Sequence, residues 1–257
     1  MNISKIRENA RVALTGKWGK GACITLAYLA VSFAIGLIIG LFEDSMIADL
    51  LDIVSSIIQV PIAFGLSYAF IRLKRDEEVK AFDFLNLGFS NFGRAWKIGL
   101  REILKVILPL IGLIISIVLL AGSMIGLNAS LTLGGTGEVS FGLMIAGIVL
   151  YIASIIWFVV RSLLYSLTTY VAYDNPNMSS LEVVNESERM MKGNRGKIFL
   201  LSLSFIGWLI LALFTLGIGC LWLLPYMIVA EVCFYEHLLG KNENNNSDDN
   251  VEAIKEM

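Results

Sequence analysis

Histidine, cysteine and charge are all scarce in this chain, and each scarcity removes a class of function. His237 is the single histidine, and no HExxH pair or Cys–His grouping accompanies it, so no zinc centre is expected. It reads as a polar residue at the end of an apolar run. The three cysteines, Cys23, Cys220 and Cys233, lie in apolar segments without metal-ligand spacing and read as small packing residues. No G-x-S-x-G elbow, Walker A loop or phosphoryl-transfer set is present. The expectation is therefore a non-enzymatic protein with no cofactor and no nucleic-acid partner. Only 16% of the 257 residues are charged, where soluble domains carry about a quarter.

Apolar sequence is what the chain has in quantity. It is 56% hydrophobic with a mean hydropathy of +0.74. The apolar residues come in uninterrupted runs of about 20, the length that crosses roughly 30 Å of hydrocarbon. Six spans are predicted, at about 21–42, 53–71, 106–127, 141–162, 198–216 and 218–239. Within them Gly36-x-x-x-Gly40 permits close helix approach, Pro61 kinks the second span and Pro109 breaks the third early. The pattern over 141–173 reads as one helix too long for a single crossing, ended by Asp174-Asn175-Pro176. The connection at 215–219 is so short that the fifth and sixth spans form a tight hairpin. The whole of 1–240 reads as one membrane domain. The tail 241–257, with five acids against two lysines, reads as disordered, acidic and cytoplasmic.

The cations fix a direction. The connections around 43–52, 128–140 and 215–219 hold none of the 20 Lys/Arg, and they carry Glu43, Asp44, Asp49, Asp52 and Glu138. By the positive-inside rule they face outward, which places both termini in the cytoplasm. Gly134-Gly135-Thr136-Gly137 in the second of them looks like a phosphate cradle, but no Gly-Lys-Ser/Thr follows, so it reads as a connector.

A repeated unit emerges from this topology. Glu8-x-x-Arg11 and Gly16-x-x-Gly19-Lys20 precede the first span; Glu186-x-x-Arg189 and Gly193-x-x-Gly196-Lys197 precede the fifth. A fainter copy, Phe82–Gly93 followed by Arg94 and Lys97, precedes the third. Each copy reads as a cytoplasmic amphipathic helix feeding a hairpin of two spans. In the first, Ile3, Ile6, Ala10, Ala13 and Leu14 share a face, and in the last Val183, Val184, Met190 and Met191 do. Ser179-x-x-Glu182 has the capping-box spacing, and Gly193 suits the position after a helix end. The fold class is all-α: a polytopic membrane protein of six transmembrane helices in three hairpins. The cations on the three surface helices predict contact with anionic lipid at the inner face.

Three polar residues inside spans form the candidate site. Glu231 lies in the inner half of the sixth span, where a carboxylate costs several kcal/mol unless paired or protonated. Arg161 is its natural partner if the fourth helix is shifted inward. Gln59, beside Pro61, reads as an inter-helix hydrogen-bonding group. Trp18, Trp96 and Trp157 read as interfacial or packing aromatics.

The runs SFIGW (204–208), TLGIG (215–219), LWLLPY (221–226) and FYE (234–236) resemble those of a known family, as do Asp174-Asn175-Pro176, Met191-Lys192-Gly193 and the amino-terminal ENARVALTGKWGK. That family is domain of unknown function 975, bacterial integral membrane proteins. The likeness runs to about Leu239. It implies a multi-span helical protein in the cytoplasmic membrane of a low-GC Gram-positive bacterium, and it supplies no catalytic residues. A looser likeness, to membrane domains fused to glycerophosphodiester phosphodiesterases, points towards lipids. The function expected is organisation of lipids or partner proteins at the cell membrane; the alternative is a small permease or exporter component using the Arg161, Glu231 and Gln59 positions.

Overall fold

The computed structural model describes residues 2–42, 45–133 and 137–255, with side chains as far as Gly240. Glu43, Asp44 and the stretch 134–136 of the suspected cradle lie outside the described residues. Every described element is helical: α1 Ile3–Leu14, α2 Trp18–Gly40, α3 Met46–Lys74, α4 Asp83–Ser90, α5 Phe92–Leu133, α6 Glu138–Ser162, α7 Thr168–Asp174, α8 Ser180–Met191, α9 Arg195–Leu203, α10 Ile206–Phe214 and α11 Cys220–Lys255. Among the described residues, six stretches are long and apolar enough to cross a membrane: Trp18–Gly40, Met46–Lys74, Phe92–Leu133, Glu138–Asp174, Arg195–Phe214 and Cys220–Gly240. The chain separates into two compact units, residues 1–99 with 167–257, and residues 100–166.

In the first unit the core lies where α1, α2, α3 and α11 meet. Phe70, Ile71, Leu14, Ile24, Phe234 and Tyr235 are all nearly inaccessible there. The repeated element is visible in backbone geometry. α1 ends at Leu14 with Thr15 as its cap, Gly16 takes φ +77°, and α2 begins two residues on. α8 ends at Met191 with Lys192 as its cap, Gly193 takes φ +79°, and α9 begins two residues on. Glycine is the residue that enters the left-handed region without cost, so the expected stop at Gly193 is present twice. The middle copy differs: α4 passes to α5 through Asn91 alone, with no left-handed glycine. The capping box forms as its spacing predicts. Ser179 Oγ accepts from the Glu182 N–H at 3.3 Å, and Glu182 Oε2 accepts from the Ser179 N–H at 2.8 Å. That second bond holds the Glu182 carboxyl below its usual pKa range. A depressed folded-state value means the cap stabilises α8 at neutral pH and is lost as pH falls through the lowered value.

Four sequence expectations change. Gly36 and Gly40 have open space where a Cβ would sit, so this pair is not a helix contact. The close crossing is between α3 and α4: a Cβ on Gly65 would run into the Phe84 carbonyl, and one on Gly88 into the Pro61 carbonyl. Pro109 does not break the third span, because α5 continues through it for 42 residues. The helix expected over 141–173 is interrupted by a 3-10 turn at Leu163–Tyr165, and the fifth span is interrupted between α9 and α10. Serines flank both breaks. Ser162 and Ser166 donate to the Val159 and Leu163 carbonyls, and Ser202 and Ser204 to those of Ile198 and Leu201. Such back-bonding competes with the helix ladder and bends it.

Pro61 has a second consequence. Having no N–H, it cannot bond the Ile57 carbonyl. The Trp96 indole N–H donates to that carbonyl at 2.9 Å. The packing expected of Trp96 thus includes repair of a helix ladder.

The second unit pairs the remainder of α5 with α6 along a seam of small residues. A Cβ on Gly112 would lie 2.5 Å from Ser154 Oγ, one on Gly126 2.6 Å from Ser140 Oγ, and one on Gly147 3.0 Å from Leu120. Leu108, Ile114, Val118, Ile125, Val149 and Ile156 are exposed around that seam. Small residues facing and large apolar residues outside is the arrangement by which helices associate in lipid.

Gly88→Ala should destabilise the protein by about 1–3 kcal/mol, at the upper end because backbone rather than a movable side chain blocks the methyl. Gly93→Ala, which meets open space, should not. Thermal unfolding in detergent should separate the two by about 4–10 °C.

Candidate functional site

α3 ends in four charged residues within five positions, Arg72, Lys74, Arg75 and Asp76, and they organise the cation-rich end of the first unit. Arg75 makes a forked contact with Asp174 at the end of α7, Nη1 to Oδ1 at 2.6 Å and Nη2 to Oδ2 at 2.9 Å. Its guanidinium also lies 5.6 Å over the Tyr173 ring and 3.5 Å from Glu236. Lys74 pairs with Glu236 on α11. Lys17, between α1 and α2, donates to the Leu73 carbonyl at 3.0 Å and reaches Asp76 at 2.5 Å. Arg94 on α5 donates to the Asn175 carbonyl at 2.6 Å. The Asp174 carboxylate keeps Arg75 charged beyond its ordinary range, outweighing partial burial. Together these contacts tie α3, α7 and α11 at one end. They are structural ion pairs.

The three expected site residues occupy different settings. Glu231 on α11 is partly buried, and its Oε2 accepts from the Tyr170 hydroxyl on α7 at 2.7 Å. Arg161 belongs to the second unit, near the end of α6, where its Nε is buried without a hydrogen-bond partner. Gln59 is exposed on α3, where an inter-helix hydrogen bond was expected. His237 is exposed as well. Reasoning along the sequence missed Tyr170, because a hydroxyl 61 positions away leaves no local signal.

It also missed a groove in the first unit. A cavity of about 320 Å³ is lined by Arg11 of α1, Trp18 of α2, Trp208 and Leu211 of α10, and Trp222 and Tyr226 of α11. Tyr226 locks its floor to α1: the hydroxyl donates to the Arg7 carbonyl and accepts from Arg7 Nε, both at 3.3 Å. Phe205 packs edge-on to Tyr226 at 5.0 Å, and Arg7 sits 5.6 Å from the Phe205 ring. The detectable sequence signal was Trp208 and Trp222 flanking a charge-free turn.

α1 and α8 turn their apolar faces into the protein. Ile6, Ala10 and Leu14 are buried against neighbouring helices, as are Val183, Val184, Met190 and Met191. Their exposed faces carry Lys5, Glu8 and Arg11 on α1, and Glu182, Asn185 and Arg189 on α8.

An all-helical chain with six such apolar stretches, and large apolar side chains exposed along them, defines a multi-pass membrane protein. Within that class the chain belongs to the family described as Protein of unknown function (DUF975), whose model matches residues 1–242. No curated protein and no solved structure matches it.

Arg75→Gln and Asp174→Asn should each cost about 2 kcal/mol, the scale of a hydrogen bond to a charged group, and the double variant should cost less than their sum. Arg189→Gln, which removes an exposed pair with Glu186, should stay within about 0.5 kcal/mol. Unfolding of the purified variants in one detergent checks all four.

Proposed function

We propose that this is a non-enzymatic protein of the bacterial cell membrane, with both termini cytoplasmic, that organises lipids or partner proteins at the inner face. One observation carries the reading. The surface helices α1 and α8 are amphipathic, and their apolar faces are consumed by packing on the protein. Their polar faces, with Lys5, Arg11 and Arg189, are thereby held outward in fixed positions. A helix that merely floated on the headgroups would need its apolar face for the bilayer. Here the cations are presented by a rigid base. The cation-free connections around 43–52 and 128–140 support the sidedness, and the exposed apolar flanks of α2, α5 and α6 supply the lipid-facing surface.

The second reading is a small permease or exporter component, and the Glu231–Tyr170 contact favours it. A partly buried carboxylate held by a phenol is a group that could load a proton or a cation.

Sidedness is testable in a variant without the three native cysteines. Met46→Cys, exposed beside the first cation-free connection, should react with an impermeant maleimide in intact cells. Lys5→Cys should react only after permeabilisation, and the reverse pattern would overturn the assignment. For function, a strain lacking the protein should show an altered distribution of anionic lipid or altered recovery of a membrane partner, restored by the Glu231→Gln variant. Failure of Glu231→Gln to restore, with normal folding and amount, would favour transport instead.

A further inference from the structure

The Arg11 groove has a polarity gradient along its length. At one end stand Arg11, Trp18 and Tyr226; at the other lie Thr215 and Gly219, at the turn between α10 and α11. The Trp18 and Tyr226 rings are 6.1 Å apart, and a Cβ on Gly21 would touch Pro225 at 3.1 Å, so the Arg11 end is level with the start of α2. From Phe205, which packs on Tyr226, to Thr215 is ten residues (215 − 205), about 15 Å at helical rise. α2 itself has 23 residues and rises about 35 Å. The far end of the groove therefore stands less than half as deep as a full span.

The turn at that depth has the chemistry of hydrocarbon. Leu213, Phe214 and Leu216 are 75%, 82% and 94% exposed, and no charged residue is near them in sequence. Its backbone is paired within the turn. The Gly217 N–H donates to Ala212, the Ile218 N–H to Thr215 and the Cys220 N–H to Gly217. The Thr215 hydroxyl donates to the Ala212 carbonyl at 2.8 Å and accepts the Gly219 N–H at 2.9 Å. A turn whose amides are satisfied internally is the form that apolar surroundings require.

At the other end Arg11 is exposed and forms no ion pair or side-chain hydrogen bond with any described residue. The groove therefore joins one unpaired cation at the membrane boundary to an aromatic and aliphatic wall running into the hydrocarbon. Trp208, Leu211 and Trp222, each about half exposed, open that wall sideways. Its volume falls in the range of small-molecule sites, about 300–1,000 Å³. We propose that this groove binds one anionic phospholipid, with its phosphate on the Arg11 guanidinium and an acyl chain along Trp208, Leu211 and Trp222. The inference rests on the lipid-organising reading above and gives it a defined site.

Three of the five tryptophans line the groove, so the protein carries its own reporter. The full chain in a neutral detergent is titrated with phosphatidylglycerol brominated on its acyl chains, then with phosphatidylcholine bearing the same chains. Wild type should show saturable quenching by phosphatidylglycerol, at about fivefold lower concentration than by phosphatidylcholine, whose choline neutralises its phosphate; that is the factor expected for one cation acting on the net charge of an anionic lipid. Arg11→Gln should lose that preference, Arg11→Lys should keep it, and Lys80→Gln, exposed and outside the groove, should leave it unchanged. The double variant Trp208→Phe, Trp222→Phe should lose most of the quenching. Equal quenching by both lipids in wild type, or loss of preference in Arg11→Lys with helix content intact, overturns the site. Equal weakening by Lys80→Gln and Arg11→Gln also overturns it while leaving the broader lipid reading in place, since diffuse surface charge would then account for binding.

Discussion

The constraint on which this structure depends is that backbone polar groups in an apolar medium must be satisfied by the chain itself. Each departure from a regular helix meets it with a local device. Pro61 frees the Ile57 carbonyl, and Trp96 on another helix takes it. The bends after α6 and α9 carry serine hydroxyls bonded to carbonyls one turn back. The α10–α11 turn closes its own amides through Ala212 and Thr215. Helix-breaking residues are thereby compatible with spans that would otherwise have to be straight. The same reasoning explains why two of the buried prolines face glycines. Pro61 meets Gly88 and Pro225 meets Gly21, so the distorted segment of one helix is covered at close range by bare backbone of another.

What lay within reach of sequence reasoning was whatever is decided locally. The Ser179–Glu182 cap, the left-handed Gly193 and its counterpart Gly16 depend on three or four consecutive residues, and they stand where their spacing puts them. The existence of six apolar helical stretches is likewise a property of composition over a window. Contacts across the fold were not legible. Gly36 and Gly40 have the motif spacing but nothing opposite them, whereas Gly65 and Gly88 form the tightest crossing without any motif. Close approach depends on what the partner helix presents, and a single segment carries no record of that. Glu231 illustrates both halves. Its position within an apolar run marked it out, while Tyr170 was invisible because only the fold brings α7 to α11.

The short surface helices show how one sequence pattern supports two physical outcomes. An amphipathic stripe describes a helix lying on a bilayer and also a helix lying on a protein. The buried Ile6, Ala10 and Leu14 decide between them, since a face packed against α11 is no longer offered to lipid. The consequence for function is a change of role. Affinity for a membrane surface would then come from the outward cations rather than from an inserted apolar face, and such attraction depends on lipid charge and falls with salt.

Charge on this surface is not all equivalent, because part of it is already committed. Lys17, Arg72, Lys74 and Arg75 are neutralised by Asp76, Glu77, Glu236 and Asp174, and Arg189 by Glu186. A phosphate approaching those residues must compete with a carboxylate at hydrogen-bonding distance. Arg11 presents no such competitor, and it stands where α1 meets the aromatic end of the groove. The ion pairs that hold α3 to α7 and α11 thus have an indirect effect on recognition. By occupying the neighbouring cations, they leave the groove mouth as a place where an anionic group gains a contact without displacing one.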